Sequence, residues 1–170
     1  MEVFEAIKTR RSIRSYKNIP VEKEKLLKVL EAARLAPSAV NFQPWTFIVV
    51  TDPVVKQKLK ASYQSDWFTS APVIIIACAH PNKAWKKFDG EEYWKVDVAI
   101  AMQNLILAAW EEGLGTCWIG AFKEDEAKRV LGIPSDVRIV AMTPLGYPAE
   151  EKGPVTNRKP LDEIVRYEHW

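Results

Sequence analysis

Apolar residues recur at helical spacing through the first forty positions. Val3, Phe4 and Ile7 share one face of a short helix predicted over residues 2–9. Leu26, Leu27, Val29, Leu30, Ala33 and Leu35 repeat the pattern over residues 21–35, with Pro20 before it and Pro37 after it as start and stop signals. The pattern then changes. TFIVVT (46–51) is β-branched and aromatic and predicts a buried strand. Asp52-Pro53 opens a helix expected to run to about residue 62, and VIIIACA (73–79) predicts a second buried strand. Residues 80–95 hold no clean period and read as a loop or mobile excursion. A long helix follows over 96–112, capped by Gly113. GTCWIG (115–120) predicts a short strand, 124–131 a helix and RIVAMTPLG (138–146) a strand. The tail from residue 147 carries three prolines and is expected to be extended. No repeat, low-complexity segment or linker interrupts the chain.

Helix 96–112 stands apart. Val96, Val98, Ala99, Ile100, Ala101, Met102 and all of Leu105 to Trp110 are apolar and cover most of its circumference. Such a helix must be covered all round. Either its own chain covers it or one face meets a partner subunit, where Ala99, Ala101, Ala108 and Ala109 allow close approach. A homodimer is therefore expected.

Composition narrows the classes. A chain of 170 residues suits one domain, 1–170. The 24 Lys and Arg against 22 Asp and Glu leave a net charge of +2, too little for a general polyanion-binding field, so no nucleic-acid partner is expected. Cys78 and Cys117 lie in apolar runs and form neither a disulfide framework nor a metal spacing. The charged N-terminal stretch has no apolar core of a signal peptide. The longest apolar run, Ala71 to Ala79, is far short of the roughly 20 residues of a membrane helix. A cytoplasmic protein without a membrane partner is expected. Seven Trp, six Phe and five Tyr are enough to furnish a core, an interface or a stacking surface for a flat ligand.

Three segments carry candidate chemistry. In TRRSIRSY, Arg10, Arg11, Ser12 and Arg14 gather guanidinium forks suited to a phosphate; a solvated basic edge or a nucleic-acid contact would use the same residues. In PSAVNFQPWTF, the loop 37–47, two prolines stiffen a segment with Ser38, Asn41 and Gln43, groups suited to a heteroaromatic edge or to turn bonds alone. In GLGTCWIGAF, Gly113, Gly115 and Gly120 allow close backbone approach to a ligand, or serve as helix cap and strand bulge. No Rossmann or Walker pattern is present, and His80 and His169 are too isolated for a metal site. The GxSxG nucleophile motif is absent, and Glu91-Glu92 and Glu150-Glu151 read as solvated charge.

RRSIRSY, APSAVNFQPWTFIVV, SAPVIIIACA, DVAIAMQNLILAAWEEGLGTCWIG, LGYP and NRKPLDEIV, in this order, resemble the nitroreductase family of FMN-dependent oxidoreductases, in its short prokaryotic form. The resemblance implies an α+β fold with a central, mainly antiparallel sheet flanked by helices. It implies an intertwined homodimer with exchanged C-terminal tails and one FMN per subunit at the interface. Arg10, Ser12 and Arg158 then resemble the groups holding the FMN phosphate and ribityl chain, with Arg11 contributing backbone. Arg14 resembles the basic group near the N1–C2=O end of the ring. Pro37, Ser38, Ala39 and Asn41 match a loop that meets the ring from the partner, and Gln64 a further ring contact. Ile119, Gly120 and Ala121 match the segment whose N–H groups face N5 and O4. Where longer relatives carry a second basic residue this chain has Thr156, so the phosphate is either less neutralised or neutralised by Lys152 instead. No catalytic side chain and no metal is implied. NAD(P)H would reduce the flavin, and a nitroaromatic, quinone or similar flat small molecule would accept the electrons in a ping-pong cycle. Residues 80–95, with Trp85, Phe88, Tyr93 and Trp94, are the expected lid. The alternatives are a flavin-binding sensor without turnover, a dehalogenating or flavin-fragmenting relative, and a nucleic-acid-binding dimer.

Overall fold

A computed structural model describes all 170 residues. Its centre is a four-stranded antiparallel sheet of order β1-β2-β4-β3, from β1 (Trp45–Val50), β2 (Val73–Ala79), β3 (Gly115–Thr116) and β4 (Arg138–Gly146). β2 is buried at every position because β1 and β4 flank it and helices cover both its faces. The two-residue period of a strand divides its side chains. Val73, Ile75, Ala77 and Ala79 face α2 (Lys23–Arg34) and α5 (Trp94–Glu111), meeting Val29, Ala33, Val98, Met102 and Leu105. Ile74, Ile76 and Cys78 face the layer of α3 (Pro53–Leu59), α4 (Asp66–Ser70) and α6 (Glu124–Leu131), meeting Leu59, Phe68 and Ala127. Beyond β3, Ser12 pairs with Thr116 and the Ile13 N–H donates to the Thr116 carbonyl at 2.9 Å. The segment after α1 (Val3–Thr9) is thereby fixed to the sheet edge.

Several boundaries differ from the expectations. β1 is partly exposed, not buried, because it is an edge strand with β2 as its single neighbour. The helix opened by Asp52, whose Oδ1 accepts from the Val55 N–H at 2.9 Å, ends at Leu59 rather than near 62. Residues 60–62 tighten into three-residue turns, and α4 then brings Phe68 into the core. The strand expected over 115–120 is only Gly115–Thr116, since the Cys117 N–H turns to Thr143 Oγ1 at 3.2 Å. Ile119 rejoins β4 as an isolated bridge to Met142. The tail is not wholly extended, because Leu161–Ile164 forms a short helix, α7.

Residues 80–95 are also more ordered than expected. Lys86 pairs with Glu92, the Lys87 carbonyl accepts from the Gly90 N–H at 2.9 Å, and fully exposed Phe88 stands at the tip of this hairpin. Trp85 and Tyr93 meet edge to face, 5.2 Å between centroids. α5 starts at Trp94, whose indole N–H donates to Glu92 at 2.8 Å. One chain does not cover α5 all round: Val96 and Ile100 remain 39% and 36% exposed, with Leu107 half-buried on the same stripe. No helix is long and apolar enough to cross a membrane.

Candidate functional site

Arg10, Arg11, Ser12, Arg14, Lys152, Val155 and Arg158 line one cavity of about 250 Å³. Its floor is built locally. The Arg10 N–H closes α1 on the Ala6 carbonyl, and the sheet-edge bonds of Ser12 and Ile13 hold the next residues. Lys152 Nζ donates to the Ser12 carbonyl and to Glu150 Oε1, both at 2.9 Å. Glu150 Oε1 also accepts from the Arg14 N–H at 2.9 Å, so Glu150 is a bracket for this segment and not merely solvated charge. These two bonds hold its carboxyl below the ordinary value.

The guanidiniums in this cavity differ from those elsewhere. Arg34, Arg129 and Arg138 pair with Glu31, Glu126 and Glu124. Arg10, Arg11, Arg14 and Arg158 have no ion pair and no side-chain hydrogen bond. Burial, then the neighbouring Arg158, lowers the Arg10 pKa. Crowded like charges without a counter-charge are relieved by an anion, and guanidinium forks match phosphate oxygens.

A second cavity, of about 440 Å³, is lined by Ala61, Ser62, Tyr63, Gln64, Gly120, Ala121, Phe122 and Lys123. The Lys123 N–H donates to the Ser62 carbonyl at 2.9 Å and joins its two walls. Gly120 and Ala121 are exposed residues whose N–H groups make no bond within the chain, whereas adjacent Ile119 is buried with its N–H on the Met142 carbonyl. The cavity therefore presents two free backbone donors. An aromatic bridge joins the two cavities. The Arg14 guanidinium lies 5.9 Å above the Trp67 ring, and Trp67 meets Tyr63 edge to face at 5.7 Å.

The remaining predicted residues, Pro37, Ser38, Ala39 and Asn41, line neither cavity. They occupy the exposed turn between α2 and β1. There Val40, Asn41 and Gln43 adopt φ of 53°, 58° and 50°. Non-glycine residues in this left-handed region are strained by roughly 1–3 kcal/mol each. Bonds hold the turn: Gln43 N–H to Ser38 Oγ at 2.9 Å, and Ala39 N–H to Asp97 Oδ1 at 2.9 Å. Asp97 has no sequence signal beyond being a charge in a largely apolar helix. Of the glycines, Gly113 is left-handed at the end of α5 (φ 75°), and at Gly115 a Cβ would lie 2.6 Å from Ile13 Cγ1. Both have fold roles, whereas Gly120 lines the second cavity.

The model of the Nitroreductase family matches residues 7–64 and 59–147. A Methanothermobacter thermautotrophicus protein, provisionally named NADH dehydrogenase/NAD(P)H nitroreductase, is 42% identical over 158 residues, covering 90% of this chain and 81% of its own. A nitroreductase family protein from Clostridium difficile superposes with a TM-score of 0.90 at 33% identity, over all of both chains. An FMN-dependent nitroreductase from the same species does so with a TM-score of 0.83 at 32% identity, covering 98% of this chain and 99% of its own. The unpaired arginines, the free N–H groups beside them and this nearly full-length likeness place the chain in the nitroreductase family.

Proposed function

We propose that the chain is one FMN-binding domain, an NAD(P)H-dependent flavin oxidoreductase that reduces a nitroaromatic, quinone or similar flat acceptor. The observation that carries this is the set of four unpaired guanidiniums beside the two free N–H groups of Gly120 and Ala121. The names of the relatives, one an NAD(P)H nitroreductase and one FMN-dependent, support the cofactor and the reductant. FMN held there would supply the redox chemistry, exchanging electrons first with NAD(P)H and then with the acceptor, as a ping-pong cycle requires. Arg10, Arg158, Ser12 and Arg11 hold the phosphate and ribityl end. Lys152 acts through its bond to the Ser12 carbonyl, as a brace more than as a free counter-charge. Arg14 places positive charge at the N1 edge of the ring. Gly120 and Ala121 donate to its N5 and O4 edge, and Gln64 lines the same cavity.

A second copy of the chain completes this site. The loop bearing Pro37, Ser38, Ala39 and Asn41 lies outside both cavities, so a ring held in them meets this loop from a partner. The uncovered α5 stripe, with exposed Phe4, Ile7 and Leu35 nearby in the fold, supplies an apolar face for that partner. The apolar tail residues Leu161, Ile164, Tyr167 and Trp170 are exposed and available for exchange. The hairpin around Phe88 is the proposed lid.

Purified protein should be yellow and bleach when NADH or NADPH is added without oxygen. Colourless protein that takes up no added FMN would refute the proposal. Yellow protein unchanged by either nicotinamide would favour a flavin-binding sensor.

A further inference from the structure

Asp97 lies in the first turn of the largely apolar α5 and is 1% exposed, the one charged residue buried in that helix. Oδ1 accepts the Ala39 N–H at 2.9 Å. Oδ2 is buried with no hydrogen-bond partner. No lysine, arginine or histidine pairs with the carboxyl group. A half-satisfied carboxyl group in a core is destabilising, and an apolar residue would serve helix packing better. Its place in the core points to the one bond its side chain makes.

That bond reaches 58 positions along the chain, to the first residue of the left-handed turn. Ser38 is extended at φ −138° and ψ 159°, and Val40 then switches to φ 53° and ψ 19°. A β-branched residue has little reason to enter this region unless its neighbours hold it there. Asn41 N–H to Ser38 carbonyl, Phe42 N–H to Ala39 carbonyl, Gln43 N–H to Ser38 Oγ and Gln43 Nε2 to Asn41 carbonyl are internal to the turn, and the Trp45 N–H of β1 donates to the Gln43 carbonyl at its end. They shape the turn and join its end to β1, but none ties its start to the body. Asp97 provides the tie at the point where the backbone changes hand.

We infer that Asp97 is a positioning residue: through the Ala39 N–H it fixes the left-handed turn at Val40–Gln43, and with it Ser38 and Asn41 as they are presented to the flavin ring. This rests on the proposed role of the 37–43 loop at the FMN site. The open Oδ2 marks a group kept for the shape of the loop and not for the stability of the helix.

The experiment uses the full chain, stripped of flavin and titrated with FMN by fluorescence quenching. Melting and hydrogen exchange of residues 36–45 are recorded alongside. D97A should raise the FMN Kd roughly tenfold and speed exchange across Ala39–Gln43. D97N keeps an oxygen for the Ala39 N–H and should stay within about threefold of wild type. A39P removes the donor from the loop side, at a position where the extended Ser38 accepts a following proline, and should reproduce the D97A effect even if D97A fails to fold. V40G makes the left-handed turn permissible, so D97A should matter less in that background. An unchanged FMN Kd in D97A or A39P would overturn the inference. So would a D97A effect equal in both backgrounds, or a D97N loss as large as that of D97A. If wild type binds no FMN, the flavin proposal fails by itself. Exchange then decides the positioning role: faster exchange in D97A but not D97N supports it, and unchanged exchange overturns it.

Discussion

Gly115→Ala is a severe test of how the basic cavity is built. The added methyl would lie 2.6 Å from Ile13 Cγ1, 2.8 Å from its Cβ and 3.0 Å from its Cγ2. Carbon atoms pack at about 3.5–4.0 Å, so the shortfall is close to 1 Å against three atoms. Ile13 cannot swing away, because it is only 1% exposed. The backbone must move instead, by stretching the 2.9 Å bond from the Ile13 N–H to the Thr116 carbonyl. Overpacking of this kind destabilises by roughly 1–3 kcal/mol, which for a chain of this size lowers Tm by roughly 2–12 °C. The same displacement shifts Ser12 and Arg14, which flank Ile13 and line the cavity, so FMN affinity should fall together with Tm. Thermal melts and an FMN titration read both effects. I13A removes two of the three clashing atoms, so G115A should do less damage in that background than in wild type. A G115A protein that melts and binds as wild type would refute this account of the cavity, as would equal damage in both backgrounds.

Three further outcomes are expected. Arg158→Ala removes one of four unpaired guanidiniums and should weaken FMN binding roughly 10- to 100-fold; an unchanged Kd would remove Arg158 from the phosphate role. Glu150→Gln should lower Tm at neutral pH, and the gap to wild type should close as pH falls below the ordinary carboxyl value of 4.5. The sign follows from the lowered pKa of Glu150 in the fold: its contribution is complete above the unfolded value and is lost as pH falls through the lowered folded value, so a gap that does not shrink at all as the pH is taken below 4.5 would contradict the bracket role. Ile100→Glu places a charge on the uncovered stripe of α5 and should yield monomers in sedimentation with little loss of helix content; a mass equal to that of wild type would move the proposed interface elsewhere.

How far the sequence predicted the fold depended on where each element obtains its partners. α6 and β4 match their predicted limits, 124–131 and 138–146. In α6 the acidic first turn and the left-handed Gly132 act within the element itself, so local signals suffice. α3 and α4 failed for the opposite reason. Nothing local stops a helix at Leu59; the break comes from placing both Leu59 and Phe68 against β2 and β4. β1 looked buried because its residues are strongly β-forming, but strand type does not reveal a position at the sheet edge.

The candidate site divides in the same way. Charge is visible in sequence, and Arg10, Arg11, Ser12, Arg14 and Arg158 do share one cavity. The groups that hold them there were not visible. Glu150 looked like surface charge until its bonds to the Arg14 N–H and Lys152 appeared. Asp97 looked like nothing in particular, because its meaning lies in a bond to Ala39 across 58 positions. A charged ligand calls for charged residues, which composition displays, whereas a ligand-facing shape calls for a backbone held against its preference. The restraint for such a backbone can come from any element that folds beside it. Supporting residues of this kind are found by asking which buried polar groups remain unsatisfied and which unstrained turn they would otherwise permit. In this chain both questions lead to the single bond between α5 and the 38–43 turn.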